Sequence, residues 1–148
     1  MFKISKSIQK FLLAFSFFLV PYLSSGQKPM VSFTVTEIKE RNRLEFGTTE
    51  WEIVKGDDYW TLYCQHPDFD LMTMYFFKWG STKNIMCTHT SKSDEVARVI
   101  LNEIIKTHHN LGDNRYLNDN GVLVHYRWEE DLNAHQFMYY NPEGKKSF

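Results

Sequence analysis

Beyond its leader, this chain has one long segment in which apolar residues recur every three or four positions. Val96, Ala97, Ile100, Leu101, Ile104, Ile105, His108 and Leu111 line up as a broad stripe. The spacing predicts an amphipathic helix over about 93–111. Ser91 or Ser93 can cap its start, and Asp94 and Glu95 place negative charge in its first turn. Lys106, His108 and His109 lie near its end, and Gly112 is suited to a left-handed stop. Arg98, Asn102 and Glu103 fall outside the stripe, so one side faces water and the other needs a sheet to cover.

Elsewhere the pattern alternates. Val31, Phe33 and Val35 alternate with Ser32, Thr34 and Thr36, which predicts a half-buried strand over 30–38. A helix over 36–46 is the competing reading. Lys39 to Arg43 reads as a charged turn. The segments 50–55 and 58–66 flank Gly56-Asp57, a tight hairpin signal. Pairing around it sets Ile53 opposite Trp60 and Trp51 opposite Leu62. The turn Pro67-Asp68-Phe69-Asp70 then places Cys64 opposite Thr73, Leu62 opposite Tyr75 and Trp60 opposite Phe77. A turn at Gly80-Ser81 leads to a fourth strand over 84–90. Connections this short imply a simple meander.

This register puts Trp51, Ile53, Trp60, Leu62, Cys64, Tyr75, Phe77, Ile85, Cys87 and His89 on one face. Tyr59, Thr61, Tyr63, Met72, Met74, Phe76 and Met86 lie on the other. Both faces are apolar, whereas a sheet covered by one helix usually alternates apolar with polar. The second face must therefore be covered as well, or bind something.

After the helix, Asn118-Asp119-Asn120-Gly121 reads as a turn. It fails as a calcium loop, because Tyr116 and Arg127 occupy the positions of the first and last carboxylate ligands. A hairpin of 121–128 with 134–140 follows, and Glu129-Glu130-Asp131 fits its solvated tip. The expected class is α+β: a curved, mainly antiparallel sheet of about six or seven strands, with one long amphipathic helix (about 93–111) packed on one face.

Charge and the leader set the context. Lys3, Lys6 and Lys10 precede the apolar run Phe11–Val20, which Pro21 ends; Ser24 and Gly26 suit cleavage before Gln27. The run is short for a membrane span. Residues 1–26 are thus expected to be a secretory signal peptide, and 27–148 a single domain with a short loose C-terminal tail. The expected location is periplasmic or extracellular, with no membrane association after cleavage. Of the 17 Lys+Arg, three leave with the leader and 14 remain against 18 Asp+Glu, giving −4. That balance disfavours nucleic acid.

Few residues suggest chemistry. Cys64-x-His66 and Cys87-x-His89 are two Cys-x-His pairs on predicted strands, with both members of each pair on one face. Together they could form a tetrahedral metal site. The meander, however, separates their strands by about 9.6 Å, beyond the roughly 7 Å that a disulfide tolerates between Cα atoms. Two buried thiols, a disulfide in another strand order, and a metal site are the three readings. His125 and His135 flank the last hairpin, in a register that the sequence leaves open. Nucleophile-elbow, zincin, Cys-x-x-Cys and phosphate-loop motifs do not occur, and no cofactor is expected.

The expected function is an exported, non-catalytic binding or interaction module. Its Tyr59, Tyr63, Met72, Met74, Phe76 and Met86 face would take a small hydrophobic ligand, a peptide or a homo-oligomeric partner. The alternative is a metal- or thiol-dependent exported enzyme built on Cys64, His66, Cys87 and His89.

Overall fold

A computed structural model describes residues 31–46, 50–66 and 70–142. The segment expected to be a leader (1–26), residues 67–69 of the expected turn and the expected tail from Glu143 onward lie outside them. The architecture is α+β. Eight strands form one antiparallel sheet, with two helices among the described residues. The expectation of about six or seven strands and a single long helix is corrected on both counts.

The first correction falls at the start. Val35–Phe46 is a helix, α1, so the competing helix reading over 36–46 holds in place of the strand over 30–38, and Lys39 to Arg43 lie within the helix and not in a turn. Thr34 and Glu37 form a reciprocal cap: the Thr34 N–H donates to Glu37 Oε2 (2.8 Å) and the Glu37 N–H to Thr34 Oγ1 (3.3 Å). This local pair, with Glu40–Arg43 bonding one turn apart, outweighs the short alternation of Val31, Phe33 and Val35. Among the described side chains of α1, Ile38 and Asn42, four residues apart, are buried.

Four strands follow as a meander: β1 (Trp51–Lys55), β2 (Tyr59–His66), β3 (Leu71–Lys78) and β4 (Met86–Ser91). The β2–β3 register is as expected, with Cys64, Leu62 and Trp60 opposite Thr73, Tyr75 and Phe77. The β1–β2 register is offset: Ile53 lies opposite Leu62 and Trp51 opposite Cys64, because Gly56 to Asp58 make a longer loop closed by Gly56 N–H to Tyr59 O. An offset of two leaves every side chain on its expected face.

The second helix, α2 (Asp94–Thr107), is capped by Ser93, whose hydroxyl accepts from the Val96 N–H. It buries Val96, Ala97, Ile100 and Ile104. It stops four residues before the predicted end. His108 turns extended, and β5 (His109–Gly112) runs into β6 (Arg115–Leu117). Asp113 and Asn114 make the turn with φ of 51° and 56°, the two-residue geometry that a tight hairpin favours. Strands β7 (Leu123–Glu129) and β8 (Ala134–Tyr140) close the fold as the predicted hairpin. Asn118 Oδ1 accepts from the Asn120 and Val122 N–H groups, so the Asn-Gly segment is a turn.

Strand order is β1-β2-β3-β4-β8-β7-β6-β5, so the β4–β8 pair joins two meanders at the centre. Both helices belong to one core with Leu62, Tyr75, Phe77, Cys87, Val124, Phe137 and Tyr139. Asn42 of α1 donates to the Tyr75 hydroxyl (3.3 Å), and Trp60 stacks on Phe77 with centroids 4.1 Å apart. Ile53 faces the same way but is exposed, because β1 is an edge strand.

Candidate functional site

The opposite face is the candidate site. Pairing sorts its side chains into rows that cross the sheet. One row runs Tyr63, Met74, Thr88, Met138 and His125; its neighbours run Thr61, Phe76, Met86, Tyr140 and Leu123 on one side and Gln65, Met72, Thr90, Gln136 and Arg127 on the other. Tyr63, Met72, Met74, Phe76 and Met86 are half-buried, and Tyr59 at the margin is exposed. Both described helices pack with the core residues of the other side.

Six methionines occur in the chain, and the four that follow residue 30 (Met72, Met74, Met86 and Met138) all share this face. Thioethers are flexible and polarisable, and suit surfaces that remould around an apolar partner. The sequence pattern supplies Met72, Met74 and Met86 but misses Met138 and Tyr140. Alternation along β8 was visible; that β8 lies beside β4 was not, because no short connection joins them.

The polar end of the face holds a cavity of about 360 Å³. Gln65, Met72, Thr90 and Lys92 line it, with Asp70 from the β2–β3 turn and Asp131 from the β7–β8 turn. Thr88 and Thr90 are buried on the central strand, and neither Oγ1 has a hydrogen-bond partner. Gln136 is held by Arg127, whose Nε donates to Gln136 Oε1 at 2.9 Å.

The two Cys-x-His pairs sit on the helix-covered face. Cys64 and Cys87 are both buried and not joined by a disulfide, and β3 lies between their strands. Cys64 Sγ is 3.9 Å from His66 Nδ1. Burial lowers the pKa of His66 to about 4 and that of His89 to about 3, so both rings are neutral near pH 7. Burial raises the Cys87 thiol pKa, which disfavours a thiolate. No group of three or more His, Cys, Asp or Glu side chains that could hold a metal ion occurs among the described residues.

A third constellation was not legible in the sequence. His135 Nε2 lies 2.7 Å from Asp94 Oδ1, and His135 Nδ1 lies 2.9 Å from the Tyr126 hydroxyl. A ring that donates from Nε2 to Asp94 and accepts at Nδ1 from the Tyr126 hydroxyl satisfies both nitrogens. This chain ties the first turn of α2 to β7 and β8. His125 pairs with Met138 and His135 with Trp128, so the two histidines lie on opposite faces.

Comparison with protein families, with curated proteins and with solved structures finds no match.

Proposed function

We propose that this protein is an exported, non-catalytic binding module that uses the Met/Tyr/Phe sheet face. The observation carrying this reading is that both described helices pack into the core on one side of the sheet, while four methionines gather on the other. An apolar face with adaptable side chains and a polar cavity at one end suits a hydrophobic ligand, a peptide or a second subunit. The leader pattern, a basic start followed by Phe11–Val20, supports export. The thiol-enzyme reading has less support, since its candidate residues are buried with neutral imidazoles.

Binding of an apolar fluorescent dye to the purified protein tests the reading. The native protein should bind the dye, and Met74→Glu and Phe76→Glu should each weaken binding while retaining native circular dichroism. A native protein that does not bind the dye, or variants that bind it undiminished, would overturn the proposal.

A further inference from the structure

Thr88 and Thr90 are short side chains set between longer ones. Thr88 lies between Met74 and Met138, and Thr90 between Met72 and Gln136. They form the floor of a trough along β4, walled by the thioethers of Met72, Met74 and Met138, which can lean aside, and by Gln136 beside Thr90. Thr88 is 3% exposed and Thr90 5% exposed, and both hydroxyl oxygens lack a partner. An orphaned buried hydroxyl costs about 1–3 kcal/mol, so a polar group reaching the floor would recover part of that penalty. Thr90 also lines the cavity at the trough's end.

The charges around that cavity give the ligand its sign. Two carboxylates, Asp70 and Asp131, face one ammonium, Lys92. No ion pair joins these three among the described residues. The local excess is negative and favours a cationic head. From Thr90 to Thr88 the floor runs two residues, roughly 7 Å of strand, and the half-buried Met86 follows on the same strand.

We propose, building on the binding reading above, that the trough takes a ligand with a primary ammonium head and an extended apolar chain. The head sits between Asp70 and Asp131 within reach of the Thr90 hydroxyl, and the chain lies along Met72, Met74 and Met86. A long-chain amine and the free amino terminus of an apolar peptide share this chemistry.

Isothermal titration of the purified protein with octylamine, octanol, octanoate and an apolar tetrapeptide, amino-terminally free or acetylated, tests the proposal. Octylamine should bind about tenfold more tightly than octanol, the scale of a hydrogen bond to a charged group, and octanoate more weakly than either. The Asp70→Asn, Asp131→Asn double variant should lose about that factor for octylamine. Asn tolerates the positive φ at position 70 as well as Asp does. Lys92→Gln should tighten octylamine, a direction that a misfolded protein cannot mimic. A free peptide that displaces octylamine while its acetylated form does not identifies a peptide source; octylamine binding without peptide binding identifies a free amine. Either upholds the proposal. Equal affinity for octanol and octylamine, or preference for octanoate, overturns the ammonium head and leaves the binding reading intact. Failure of every probe to bind overturns the ammonium ligand, and the dye measurement above then decides the binding reading by itself.

Discussion

Phe76 and Phe77 are neighbours in sequence that point to opposite sides of the sheet, and truncating each in turn probes both sides. Phe77 is fully buried and stacked on Trp60. Phe77→Ala removes a packed ring and leaves a cavity, a change that costs about 3–5 kcal/mol. Phe76 is half-buried on the open face. Phe76→Ala loses only about half of the 1.5–3 kcal/mol that full burial contributes, roughly 1 kcal/mol, and solvent fills the space. At about 4 °C per kcal/mol for a domain of this size, the melting temperature should fall by about 12–20 °C for Phe77→Ala and about 4 °C for Phe76→Ala. Thermal unfolding followed by circular dichroism reads both. Equal losses would instead place Phe76 in an interior layer and rule out an open face.

Other expectations follow from local geometry. Thr34→Ala removes the reciprocal cap of α1 and should cost about 1 kcal/mol in urea unfolding. Asn114→Val places a β-branched residue at φ 56° in the β5–β6 turn and should cost about 1–2 kcal/mol. His66 and His89 have folded pKa values below the unfolded value of 6.5. Their contribution is therefore complete above pH 6.5 and is lost as pH falls toward about 4 for His66 and about 3 for His89; urea titrations across pH 7 to 4 should show declining stability, with a shallower decline in His89→Gln. Iodoacetamide should leave Cys64 and Cys87 unmodified in the native protein and alkylate both once it is unfolded, as read by mass spectrometry.

What was legible in the sequence was mostly local. Short connections at Gly56 and Asp70 fixed the first meander, and period two assigned Tyr63, Met72, Met74, Phe76 and Met86 to one face despite the offset at β1. The helix stripe from Val96 to Ile104 was equally clear, since its cap and apolar spacing agree. The misses arose where two local signals competed. Val31 to Val35 alternates like a strand, yet the Thr34–Glu37 cap and the helix-forming residues after it prevail. Leu111 fits the helix stripe, but the left-handed tolerance of Asp113 and Asn114 turns the chain into a hairpin. The β4–β8 pairing brings distant segments together, and with it come Met138, Tyr140 and the trough over Thr88 and Thr90. Nothing in either segment alone specifies its neighbour.

On the binding reading, the methionine-bearing face is available to a partner. Methyl NMR of ¹³C-methionine-labelled protein, with and without a soluble paramagnetic chelate, measures this directly. Met72, Met74, Met86 and Met138 should all broaden with the chelate and shift together when an apolar probe is added. Four sharp signals, indifferent to both additions, would contradict it.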